Sequence, residues 1–81
     1  LAGDTGMYAQ TLMLALRDRG IGSCPQTSVS CYPDLVRDEL GVETHFKLLM
    51  GLPFGYIDPS DKANDFRTDR AALDKNTIFH N

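Results

Sequence analysis

The chain has no run of like charge, no secretory leader pattern, no internal repeat, and only two cysteines in 81 residues. Nor does any apolar stretch approach the ~20 residues that span a bilayer. Each absence removes a class. With no basic cluster and a formal net charge of −3, the chain lacks the Lys/Arg density from which affinity for nucleic-acid phosphates arises. A membrane protein is not expected. Cys24 and Cys31 stand seven positions apart, which is neither a C-x-x-C redox pair nor a disulfide framework. No further Cys or suitably spaced His completes a zinc set. The two thiols read as small buried or half-buried side chains in a reducing cytoplasm. A nucleophilic Cys24 would need a neighbouring cation to hold a thiolate, and none is close in sequence.

What remains is an ordinary soluble composition, 42% hydrophobic and 23% charged. The length admits one domain at most, and a chain this short buries only roughly 60% of its unfolded surface. It opens on Leu1 in the middle of apolar text, which predicts a fragment rather than a complete gene product.

Asp4 and Thr5 are natural N-cap residues, and Gly6 to Arg19 reads as helix. Met7, Tyr8, Ala9, Leu12, Met13, Leu14, Ala15 and Leu16 cover most of its circumference. A helix apolar nearly all round is expected to be buried on several sides, with Met7, Tyr8 and Met13 in the core. Eighty-one residues hold too little other protein to cover it, so a companion surface is expected. Gly20 supplies the stop. Ile21 to Cys24 reads as a short strand or extended link, and Pro25 to Ser30 as loop. Pro33 suits the first turn of a short helix over Asp34 to Leu40, ended by Gly41. The text from Phe46 to Ile57 is too apolar for a one-sided strand. It predicts a strand buried on both faces, firmest over Phe46 to Gly51 and frayed at Pro53. From Asp58 onward acids and bases interleave. That predicts a solvated arm with a turn at Asp58-Pro59-Ser60-Asp61, anchored by Phe66, Leu73, Ile78 and Phe79.

Two segments carry chemistry. The first is Gly20-Ile21-Gly22-Ser23-Cys24-Pro25-Gln26-Thr27-Ser28, whose loop presents backbone N–H groups and small hydroxyls to a flat, polar-edged ligand. The second is Asn64-Asp65-Phe66-Arg67-Thr68-Asp69-Arg70, with two arginines suited to a phosphate. Blander readings stand beside both: a plain tight turn, and solvated arginines paired with Asp65, Asp69 or Asp74. Gly20-x-Gly22 is no dinucleotide fingerprint, because a helix ends at these glycines instead of opening from them. His45 and His80 are isolated, and a general acid or base needs a positioned partner.

Taken in order, the 4–15 helix, Gly20 to Cys24, the Leu-Leu-Met-Gly-Leu-Pro-Phe-Gly-Tyr text at 48–56 and Asn64-x-Phe66-Arg67-Thr68-x-Arg70 resemble the C-terminal half of the FMN-dependent nitroreductase family. The resemblance implies an α+β sandwich, of which residues 1–81 would be an incomplete part: a buried long helix, a short helix, a central strand and an extended C-terminal arm. It implies FMN at a homodimer interface, NAD(P)H as electron donor, and hydride transfer through the flavin to nitroaromatic, quinone or related small-molecule acceptors. It implies no catalytic side chain. Pro25, Gln26, Thr27 and Ser28 would form the loop on the isoalloxazine, with the N–H groups of Thr27 and Ser28 near N5 and O4. Arg70, and Arg67 as a second candidate, would hold the phosphate. The family's other phosphate ligands lie in an N-terminal basic segment, so association with such a segment or with a second subunit is expected. The alternative is a non-catalytic remnant that serves as an assembly module.

Overall fold

Helix α1 spans Ala2–Asp18, a stretch rich in Ala, Leu and Met, whose side chains are unbranched at Cβ and lose little freedom in a helix. The computed structural model describes all 81 residues, Leu1–Asn81. The helix begins earlier than the capping pattern predicts. Thr5 donates both its N–H and its hydroxyl to the Leu1 carbonyl, at 3.2 and 3.3 Å. Asp4 and Thr5 therefore lie within the first turn, and Leu1 flanks it without any side-chain cap. Propensity over the whole segment outweighs a local cap signal. The end falls where expected. Arg19 and Gly20 donate back to Leu16 and Arg17 at 3.0 and 2.9 Å, and Gly20 takes φ 75°, a left-handed conformation easy only for glycine.

The chain then reverses into β1, Ile21–Ser23, which pairs antiparallel with β2, Phe54–Tyr56. Ile21 stands opposite Tyr56, Gly22 opposite Gly55 and Ser23 opposite Phe54. Beyond the strands the ladder continues irregularly. Cys24 N–H donates to the Pro53 carbonyl at 3.1 Å, and Gln26 and Gly51 exchange bonds in both directions. Pro25 and Pro53 supply no N–H, which is why this ribbon stays broken. Between its strands lie a 3-10 turn, Ser28–Cys31, and helix α2, Pro33–Leu40, with Pro33 opening it and Gly41 closing it in a left-handed conformation. Arg37 ties α2 to the following loop: its guanidinium donates to the Phe46 carbonyl at 3.0 Å and pairs with Asp34 at 2.6 Å. After β2 come a turn at Asp58, a 3-10 turn Lys62–Asp65 and a single helical turn α3, Leu73–Asn76. The last two interrupt the arm expected from sequence.

Three expectations need correction. Residues 46–50 form no strand; pairing is confined to three residues around Gly55, and Phe54 and Tyr56 are exposed. The apolar run marks a surface awaiting cover, and these residues supply no layers to cover it. Only Ala9 is buried, while Met7 and Tyr8 of the expected core are 66% and 72% exposed. Cys24 and Cys31 are free and exposed rather than buried.

The dimensions agree. The radius of gyration is 16.8 Å, against about 12 Å for a compact domain of this length. Accessible surface reaches 7555 Å², whereas a folded monomer of this mass would show about 4,900 Å². The chain is an open α+β arrangement of one long helix laid on a broken ribbon, with two excursions beside it.

Candidate functional site

The loop Pro25–Ser28 leaves β1 directly, and its geometry follows from which backbone groups the ribbon uses. Gln26 N–H donates to the Gly51 carbonyl at 2.9 Å and Gly51 N–H returns to the Gln26 carbonyl at 2.8 Å, so both main-chain groups of Gln26 are spent. Thr27 follows in a right-handed turn conformation, φ −95° and ψ −11°. Its carbonyl accepts the Ser30 N–H at 3.0 Å and the Ser30 hydroxyl at 2.5 Å. Its own N–H has no backbone acceptor. Ser28 opens the 3-10 turn, where the first N–H groups lack intrahelical partners by geometry. Two consecutive amide donors are thus left open on exposed residues. Such a pair suits an electron-rich heterocycle edge, since unmet donors seek an acceptor.

Neither arginine is engaged with a carboxylate. Arg67 donates from one terminal nitrogen to the carbonyls of Asn64 and Phe66, both at 2.9 Å. Arg70 donates to the Thr68 hydroxyl at 2.6 Å and the Asp69 carbonyl at 3.0 Å. The ion pairs of the structure are Arg37–Asp34 and the terminal amine with Asp4, and His45 Nδ1 lies 3.1 Å from the Glu43 carboxylate. The pairing of Arg67 or Arg70 with Asp65, Asp69 or Asp74 does not form. Each guanidinium keeps its charge uncompensated and the rest of its donor fork available, the condition a phosphate requires.

The structure brings these residues together only in part. Arg67 joins Gln10, Arg17 and Asn64 around an open cleft of about 520 Å³ between α1 and β1. A second cleft, about 350 Å³, lies over Gly22–Cys24 and Pro53–Ile57 and also reaches Asn64. Thr27, Ser28 and Arg70 line neither. Sequence reasoning named Asn64 only as part of the arginine segment and gave it no role of its own; its amide donates to the Asp58 carbonyl at 2.9 Å and fixes the arm beside both clefts. An Asp-Pro-Ser-Asp turn six residues upstream was the available signal. Asp58 accepts the Ser60 hydroxyl at 2.7 Å and the Ser60 N–H at 2.9 Å. Those two bonds, the hydroxyl first, hold its carboxyl below the ordinary value of 3.8, against a small opposing effect of desolvation. No group of three His, Cys, Asp or Glu side chains is placed to hold a metal ion, and no helix is long and apolar enough to cross a membrane.

A family model described as the nitroreductase family matches residues 1–56. The chain is 56% identical over 79 residues to nitroreductase NfnB of Mycolicibacterium smegmatis, covering 98% of this chain and 33% of that protein. To 4-nitrobenzoate reductase of Pseudomonas putida it is 36% identical over 76 residues, 94% of this chain and 34% of that one. Among solved structures, the FMN-dependent nitroreductase NfnB from Mycobacterium smegmatis in complex with NADPH superposes with a TM-score of 0.90 at 55% identity, over 99% of this chain and 36% of that chain. The FMN and NADPH-dependent nitroreductase NfnB from Sphigopyxis sp. strain HMH gives a TM-score of 0.92 at 34% identity, over 98% and 35%. The chain spans about a third of the length of the curated relatives it matches. Its open backbone is therefore the conformation that the same segment has inside larger proteins.

Proposed function

This chain belongs to the nitroreductase family, and from that premise we propose that it forms one wall of an FMN site in an NAD(P)H-dependent oxidoreductase. The acceptors would be nitroaromatics, quinones or related small molecules. The observation that carries this reading is the superposition on an FMN-dependent nitroreductase across 99% of the chain, with a loop whose consecutive amides at Thr27 and Ser28 have no internal use. Bound FMN would supply the redox chemistry, accepting electrons from NAD(P)H and passing them to the acceptor.

The residues' own parts are binding and orientation. Thr27 and Ser28 would direct their N–H groups at the edge of the ring, where preorganised donors favour the charge that builds on reduction. Pro25 and Gln26 shape the loop on the ring's face, Gln26 through its bonds to Gly51. Arg70, and Arg67 beside it, would take the phosphate in a planar fork of donors. No acid, base or nucleophile is required of this chain.

Completing the site requires a companion. We read residues 1–81 as the C-terminal portion of one nitroreductase-like domain, closed by an N-terminal segment and by a second subunit in a homodimer. An excess of roughly 2,700 Å² of accessible surface over a compact monomer supports this. Two unpaired thiols, Cys24 and Cys31, suit a reducing cytoplasm. A non-catalytic assembly module is the second reading, favoured by the same exposed apolar surface. One experiment separates them. The protein together with its companion segment, supplied with FMN, should turn yellow and oxidise NADPH only when a nitroaromatic such as 4-nitrobenzoate is present. A stable oligomer with no affinity for FMN would overturn the enzyme reading and favour the module.

A further inference from the structure

We propose that Gly51 and Val29 are positioning residues: together they grip the loop on either side of Thr27 and Ser28 and aim those two amides outward at the flavin's edge. The proposal rests on the flavin reading above and deepens it. Gly51 faces the loop on two sides. Through its backbone it exchanges two hydrogen bonds with Gln26, at 2.9 and 2.8 Å, which fixes the residue just before the donor pair. On the side where Gly51 carries no Cβ lies the side chain of Val29, two residues after Thr27 and directly after Ser28. A Cβ on Gly51 would stand 3.2 Å from Val29 Cγ2 and 3.7 Å from Cγ1.

The two grips differ in kind, and that makes them effective. The bonds set the height of the loop against the ribbon. The Val29 contact sets its rotation, because Val29 sits inside the 3-10 turn and half-buried, and a β-branched side chain has few alternative rotamers. Between the two grips the Thr27 carbonyl turns inward to Ser30, which leaves the N–H groups of Thr27 and Ser28 on the outside. The first separation is shorter than the roughly 3.5–4.0 Å at which carbon atoms rest. An added methyl would therefore push Val29, and with it the whole turn. Donors serve a charge-bearing atom only within about 2.7–3.1 Å, so a displacement of a few tenths of an ångström matters. Neither Gly51 nor Val29 need touch the ligand. Both act through the loop.

The test compares wild type, Gly51→Ala, Val29→Ala and the double variant in the full protein, with and without FMN. Amide chemical shifts and hydrogen exchange at Thr27 and Ser28 are read without ligand; affinity and reduction potential are read with FMN. Gly51→Ala is expected to move both amides and weaken FMN about tenfold, the scale of one hydrogen bond, with a matching shift in potential. Adding Val29→Ala opens the space for the new methyl and should restore both amides and affinity to within about threefold. Folded Gly51→Ala with both amides unmoved, or a double variant no better than the single, would overturn the proposal. Wild type that takes up no FMN would sink the flavin reading. Amides that still shift and recover would then support the grip alone. If Gly51→Ala fails to fold, Val29→Ala decides: loosened exchange at Thr27 and Ser28 supports the grip, and unchanged exchange overturns it.

Discussion

Ile57 lies across the Cα of Gly22 so closely that a Cβ on Gly22 would stand 2.5 Å from Ile57 Cγ1 and 3.1 Å from Cδ1. The contact locks β1 to the chain leaving β2, at the floor of the cleft that Arg67 lines. Cγ1 is close to the root of its side chain, so it cannot swing clear without a rotamer change. Gly22→Ala is accordingly expected to destabilise the protein by about 1–3 kcal/mol, the usual effect of overpacking. Adding Ile57→Ala, which removes both opposing carbons, should return part of that loss. Chemical denaturation of the three proteins, each together with its companion segment, checks it, and a Gly22→Ala variant as stable as wild type would show that the junction yields freely.

The Asp58 turn gives a pH dependence with a definite sign. Its carboxyl is held below 3.8 by bonds from Ser60 that the charged form accepts more strongly than the neutral one. A lowered native value means that the turn's stabilisation is complete above the ordinary value. It is lost as pH falls below 3.8 and through the native value. Ser60→Ala removes the hydroxyl, the larger cause, and should raise the Asp58 titration toward 3.8 while the backbone bond keeps part of the shift. Carbon chemical shifts of the carboxyl followed through an acid titration read this directly. No movement on substitution would mean that the Ser60 hydroxyl is not bonded in solution.

If Arg70 grips a phosphate, Arg70→Ala should weaken FMN about ten- to a hundredfold, the range for a hydrogen bond to a charged group. Arg70→Lys should fall between the two, because an ammonium keeps the charge and loses the fork. Added salt should shrink the gap between wild type and Arg70→Ala. Quenching of free FMN fluorescence on titration measures all three. Equal affinity in wild type and Arg70→Ala would move the phosphate role to Arg67 or off this chain.

Local features were legible in the sequence where the chain itself decides them. Gly20 and Gly41 ended their helices, Pro33 opened α2 and the Asp58 turn formed, because each depends on torsions within a few residues. Elements governed by neighbours were not. The Phe46–Met50 text resembles a buried strand and forms none, since no strand lies beside it to pair with. Met7 and Tyr8 carry core-like side chains onto an open surface for the same reason. At the site, the loop's composition offered only backbone donors and small hydroxyls in general; Thr27 and Ser28 were singled out by the resemblance to the family. The Gln26–Gly51 exchange that frees their amides spans 25 residues of sequence and leaves no local pattern. A glycine interrupting the apolar run, one of two with Gly55, was the one hint at Gly51.

The same burial pattern predicts how the 81-residue chain behaves by itself. Ordering each residue's backbone costs roughly 1–2 kcal/mol, and burial of apolar surface is the main term that offsets it. With Ala9 the only buried residue, that offset is missing. The chain in isolation should therefore give a calorimetric trace without a cooperative peak, and it should bind hydrophobic dyes. Helix content should sit below the 17 residues of α1, because isolated helices of that length are marginal. Supplying the complementary part of a nitroreductase in trans should cover Met7, Tyr8, Leu14 and Phe54, bring in a sharp transition and suppress the dye signal. The two proposals about this surface predict opposite results for one further measurement. If the chain closes a cofactor site, FMN should raise the new transition temperature in proportion to the logarithm of its concentration. If it serves only to assemble, FMN should leave that temperature where it is.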